Sequence, residues 1–123
     1  MQQIPLSVII LAQADSPQLR SSIQSILFAN EIIVVDTSGT KTITSVKSSD
    51  VQLRQLSKIT NFSVTRNQTL KFASNDWVLF LDSDEICVCP KVDALLTLME
   101  KNISAYKINR KDYFLALCKT QKT

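Results

Sequence analysis

The sequence contains no histidine, and its three cysteines are an odd number. The first absence removes the most frequent general base and metal ligand. The second argues against a disulfide framework. Cys87 and Cys89 stand two apart, so a zinc site would need Cys118 and a carboxylate to complete it. Structural zinc sites present tighter four-ligand spacing, and small core residues in a reducing compartment are the preferred reading. Long hydrophobic runs are missing too: Val8–Ala12 and Trp77–Leu81 fall far short of the roughly 20 residues that span a bilayer. Gln2–Gln3 offers no charged start for a signal peptide. The charge is not strongly skewed. A formal +3, with Lys and Arg scattered and not interleaved with aromatics, does not describe a nucleic-acid surface. No internal repeat or low-complexity segment breaks the chain. The expected location is cytoplasmic, or peripheral at the inner membrane through a partner.

What is present suits one soluble domain. A length of 123 residues, 45% hydrophobic and 20% charged, supports one domain with a real core and not two domains. The patterned segments alternate between strand and helix. Leu6–Ala12 reads as a buried strand, and Ser16-Pro17 as a helix start, followed by Leu19, Ile23, Ile26 and Leu27 on one face. Glu31–Asp36 is a second short apolar strand ending in a carboxylate. In the polar stretch 39–49, Ile43 and Val46 mark a short helix, and Val51–Leu56 alternates as an edge strand would. Asn61 or Ser63 is placed to cap a helix through Ala73. Pro90 opens another, whose stripe of Val92, Leu95, Leu96 and Met99 is core packing and ends near Asn102. Ser104–Asn109 and Tyr113–Leu117 alternate as strands, and residues 118–123 read as a frayed polar tail.

Residues 76–85 carry the functional argument. Asp76-Trp77-Val78-Leu79-Phe80-Leu81 is a run suited to a strand buried on both faces, and Asp82-Ser83-Asp84-Glu85 closes it with three carboxylates. If the extended conformation persists through Ser83, Asp82 and Asp84 project to one side. Converging carboxylates repel, and a hard divalent cation is one remedy. The pattern thus points to Mg²⁺ or Mn²⁺ holding substrate phosphates, with an ordinary polar turn as the rival reading. A helix–loop–helix calcium loop fits poorly, because Ile86 and Cys87 occupy the places of a third oxygen ligand and the required glycine. The alternation implies an α/β fold, a mostly parallel sheet with helices on both faces. Gln13–Asp15, Asp36–Gly39 and Asp82–Glu85 then share the carboxyl edge, where such sheets bind ligands.

Four blocks, in order, resemble the family-2 glycosyltransferases of the GT-A fold: Ser7-Val8-Ile9-Ile10; Glu31 to Thr40; Arg66-Asn67; and Asp76 to Glu85. Ala105 to Leu115 is similar to a segment of the lipopolysaccharide-core glucosyltransferase-like subgroup. The resemblance covers residues 1–117 as a Rossmann-like nucleotide-sugar-binding domain, and only that half of the family's usual length. It implies a nucleotide-diphosphate sugar, most often UDP-linked, transferred to a saccharide or lipid-linked acceptor of the cell envelope. It further implies that Asp36 contacts the base or ribose, that Asp84 is the direct ligand of Mn²⁺ or Mg²⁺, that Asp82 lies nearer the ribose or sugar, and that Arg66 reaches the nucleotide. The bland rivals are a turn cap for Asp36 and a solvated helix residue for Arg66.

The chain departs from the family at Leu11-Ala12-Gln13-Ala14-Asp15, where Pro-Thr is usual, and at Asn75, where glycine is common. Past Leu117-Cys118-Lys119, members continue into an acceptor-binding half. A truncated domain is therefore the expectation, with no identifiable catalytic base, little transfer by the isolated chain, and Asp112 or Glu85 first in line were transfer seen. Two alternatives stay open. One is a non-catalytic nucleotide-sugar-binding module completed by a partner chain or a second copy. The other is a Toprim-like metal-dependent domain, against which the weak basic balance and the lack of a glycine-flanked glutamate near the start both count.

Overall fold

The computed structural model describes residues 3–38, 43, 51–56, 62–88, 91–101, 105–109 and 114–119, with backbone alone for Phe62 and the last two segments. Among them, six strands form one sheet. They are β1 (Ile4–Ala12), β2 (Ala29–Asp36), β3 (Val51–Gln55), β4 (Trp77–Asp82), β5 (Ala105–Asn109) and β6 (Phe114–Lys119). The helices are α1 (Pro17–Gln24), α2 (Phe62–Thr69), extended by a 3₁₀ turn at Leu70–Phe72, and α3 (Val92–Met99).

The sheet order is β3-β2-β1-β4-β6-β5. The first four strands are parallel: β1 lies between β2 and β4, and β3 forms the outer edge beyond β2. β6 and β5 add an antiparallel pair on the other side of β4. β1, β2 and β4 are therefore adjacent parallel strands, as a mostly parallel sheet requires, and β3 takes the edge position expected of it. β6 runs beyond the expected end at Leu117, because Cys118 and Lys119 pair with Val78 and Trp77.

Period-2 alternation sorts the strand residues into two cores. Leu6, Val8 and Ile10 of β1, Ile32 and Val34 of β2, and Trp77, Leu79 and Leu81 of β4 share a core with Leu19 and Ile23 of α1 and Met99 of α3. Ile9, Ile33, Val35 and Val78 meet Ala73, with Leu70 and Phe72 of the 3₁₀ turn packed against them. Helical elements thus cover both faces. The expected helix through Ala73 stops at Thr69 and tightens into the 3₁₀ turn. Of the two proposed caps, Ser63 lies inside α2 and so does not cap it, while Asn61 and Pro90, the proposed start of α3, lie outside the described residues. So does most of 39–49, from which only Ile43 is described, buried in the first core.

Local chemistry fixes the ends. The Ser16 hydroxyl accepts from the Leu19 N–H at 3.1 Å, with Pro17 at the first helical position, where its missing N–H costs nothing. The Trp77 indole N–H donates to the Met99 carbonyl at 2.9 Å and anchors the end of α3 to the start of β4.

The second face also holds a buried carboxylate. Glu31 accepts hydrogen bonds from the Ser7 hydroxyl (2.6 Å), the Ser74 N–H (2.7 Å) and hydroxyl (2.8 Å), and the Gln52 amide (3.1 Å). Asn75 adds its N–H and side-chain amide to the Ser7 oxygen. The segment entering β4 is thereby pinned to β1 and β2. Burial alone would raise the Glu31 pKa, but the bonds from Ser7, Ser74 and Gln52 outweigh it and hold the carboxyl below its ordinary value.

Candidate functional site at the carboxyl edge of the sheet

β1, β2 and β4 all end at one edge, and their following loops open a crevice of about 530 Å³. That volume suits a ligand of nucleotide size. Gln13, Ala14 and Ser16 line it from the β1–α1 loop, Thr37 from the end of β2, Arg66 from α2, and Asp82, Ser83 and Asp84 from the end of β4. The register explains the convergence: Ala12 pairs with Asp36, and Leu11 with Asp82. Thr37 closes the joint between two of the loops, donating its N–H to the Ala12 carbonyl at 2.9 Å.

Asp82 ends β4, and extension does not persist through Ser83 as the alternation argument required. Ser83 and Asp84 form a turn, closed by the Glu85 N–H on the Asp82 carbonyl at 3.0 Å. Both aspartates are exposed and line the crevice, so the turn, not strand alternation, brings them to it. Arg66 is also exposed, with its guanidinium carbon 5.5 Å from the Phe80 ring centroid. Such stacking restrains a cation over the ring without consuming its hydrogen-bond donors.

Asp36 is placed differently. It is fully buried, and Oδ1 accepts from both the N–H (2.9 Å) and the hydroxyl (2.6 Å) of Ser38. This is the cap that the bland reading describes. Oδ2, however, is buried with no hydrogen-bond partner, the one such side-chain atom among the described residues. A buried carboxylate oxygen left unpaired is costly and calls for an explanation.

Glu85 is buried, and its Oε1 accepts from the Asp82 N–H at 2.8 Å. That carboxylate braces the turn and is not presented as a base, while Asp112 lies outside the described residues. Sequence reasoning passed over Ser22 of α1, whose hydroxyl donates to the carbonyls of Ser83 and Glu85. The available signal was a serine within the apolar stripe of α1, where a buried hydroxyl demands a partner.

The donor set bears on the cation. No group of three or more candidate metal-ligating side chains occurs among the described residues. Two exposed carboxylates suit Mg²⁺ or Mn²⁺ that completes its shell with water and substrate phosphates. They fit a cation arriving with a diphosphate better than a resident one. The zinc alternative depends on Cys89 and the Cys118 side chain, both outside the described residues; Cys87 is half-buried.

The glycosyl transferase family 2 model matches residues 7–117. The chain belongs to that family. The Toprim-like alternative falls with this match. Solved structures of similar fold include TarS 1–349 of S. aureus, with a TM-score of 0.50 and 23% identity over 68% of this chain and 28% of that one. The mannosyltransferase PcManGT from Pyrobaculum calidifontis, in complex with GDP-Man and Mn²⁺, aligns with a TM-score of 0.57 and 16% identity. That match covers 84% of this family-2 chain and 34% of PcManGT, so the chain spans about a third of the length of these structures. No curated protein gives a significant match. The α/β sheet is that of the GT-A glycosyltransferases. No helix among the described residues is long and apolar enough to cross a membrane.

Proposed function

We propose that this chain is the donor-binding region of an inverting, metal-dependent glycosyltransferase acting on a nucleoside-diphosphate sugar, UDP-linked by its resemblance. The observation that carries the reading is the meeting of Asp82, Asp84 and Arg66 in one crevice at the carboxyl ends of parallel strands. Asp84 takes the cation directly, and Asp82 lies toward the ribose or sugar. Breaking the sugar–diphosphate bond leaves negative charge on the leaving phosphate. A cation held by carboxylates stabilises that charge, and the Arg66 guanidinium, which lines the same crevice, adds donors. Asp36, at the end of β2 beside the crevice residue Thr37, is assigned to the base or ribose by the resemblance. The acceptor substrate is a saccharide or lipid-linked glycan of the cell envelope, and the base that deprotonates it is not assigned.

Titration calorimetry tests the reading with UDP, and with GDP in parallel because PcManGT was solved with GDP-Man. Binding is expected with Mn²⁺ or Mg²⁺ and is expected to vanish with chelator or in Asp84→Asn. Affinity indifferent to both changes would refute it.

A further inference from the structure

The turn that presents Asp82 and Asp84 is gripped from beneath by side chains that do not line the crevice. Ser22 is fully buried beside Leu19 and Ile23 on the inner face of α1. Its hydroxyl donates to the Ser83 carbonyl at 3.0 Å and to the Glu85 carbonyl, bracketing Asp84 on both sides. Glu85 closes the loop twice: its N–H donates to the Asp82 carbonyl, and its carboxylate accepts from the Asp82 N–H. Ser25 continues the seam, accepting from the Cys87 N–H at 3.0 Å and donating to the Ser22 carbonyl at 2.6 Å.

This arrangement is expensive for a mere turn. Burying a carboxylate carries a desolvation cost, and placing Glu85 in the same turn as two other carboxylates adds repulsion. An ordinary Asp-Ser turn closes without either. The expense is understandable where the direction of the two exposed carboxylates matters.

We propose that Ser22 and Glu85 are positioning residues for the cation: they fix where Asp82 and Asp84 aim, and so set the affinity for a divalent cation–nucleotide pair they do not touch. The proposal rests on the reading above, in which those aspartates hold the cation. Supporting groups one step removed from a metal govern its affinity in this way.

The test uses the full chain and follows the electron paramagnetic resonance signal of free Mn²⁺ as it is bound in the presence of UDP or of GDP. Ser22→Ala and Glu85→Val are expected to weaken binding roughly 10- to 100-fold. Ser22→Thr and Glu85→Gln, which keep the hydroxyl and the acceptor oxygen, are expected to stay near wild type. Circular dichroism checks that each variant is folded.

Removal variants that fold and bind Mn²⁺ like wild type, while Asp84→Asn does not, would overturn the positioning role and leave the site reading intact. Conservative variants as weak as the removals, or unfolding of both removals, would overturn it in favour of a purely structural role. Wild-type protein that binds no Mn²⁺ with either nucleotide, or binds it equally after Asp84→Asn, would sink the site reading and the proposal together.

Discussion

Removing the Glu31 carboxylate should destabilise the fold severely. The expected size follows from its partners. Four donors converge on it: the Ser7 hydroxyl, the Ser74 N–H and hydroxyl, and the Gln52 amide. In Glu31→Ala, Gln52 and the exposed Ser74 hydroxyl recover water, so they contribute little to the cost. The Ser7 hydroxyl is fully buried, and the Ser74 N–H is held against the sheet, so these two bear the loss. At about 1–3 kcal/mol for each of the two stranded groups, the expected destabilisation is about 2–6 kcal/mol. Against a total of roughly 5–15 kcal/mol for a domain, that is a large share. Urea unfolding should show a lower midpoint at unchanged slope.

The pH dependence supplies a second, independent readout. Because its hydrogen bonds hold the Glu31 pKa below the ordinary value, the unfolded chain binds that proton more readily than the folded one. The stabilisation is complete above the unfolded carboxylate pKa, about 4.3. It is lost as pH falls through the lower, folded value. Glu31→Gln keeps an acceptor but no charge, so the gap between it and wild type should be constant near neutrality and close in acid. A gap of the same size at pH 6 and pH 3, or a Glu31→Ala loss under about 0.5 kcal/mol, which is what a surface substitution costs, would refute the reasoning.

Two further outcomes are expected. Ser16→Ala removes the N-cap of α1 and should cost about 1 kcal/mol, measured by the same unfolding curves, with Ser16→Asp recovering most of it. Arg66→Ala should lower stability by no more than about 1 kcal/mol, since among the described residues its side chain makes a stacking contact on Phe80 alone, yet weaken metal-dependent nucleotide binding by calorimetry; unaltered binding would return Arg66 to the status of a solvated helix residue.

The sequence-level reading and the structure part company at identifiable places. Periodicity was sufficient for β1, β2 and β4, because strands flanked by helices on both sides must be apolar throughout, and few other structures accept such runs. Their common polar edge then followed from topology alone. What periodicity could not supply was the conformation past Leu81. Alternation treats Asp82-Ser83-Asp84 as strand, whereas Glu85 and Ser22 fold it into a turn. Ser22 is separated from Ser83 by 61 positions in the sequence, so no local pattern contains that contact.

The Glu31 cluster was hidden for a related reason. Ser7 and Glu31 interrupt otherwise apolar strands and face each other across the β1–β2 register, but Ser74 arrives from 43 residues away. Within a single strand, each polar residue reads only as a mild fault in a hydrophobic pattern. Paired in the sheet, they become one satisfied network, and the same logic applies to Asp36. Its position at the end of β2 was legible, but its complete burial, with one oxygen capped by Ser38 and the other unpaired, depends on how the loops close over it. The apolar pattern therefore specifies the platform, while the aim of the polar groups on it is decided by hydrogen bonds between distant segments. Substitutions such as Ser22→Ala, which leave the apolar pattern untouched, are accordingly where the two contributions can be separated by experiment.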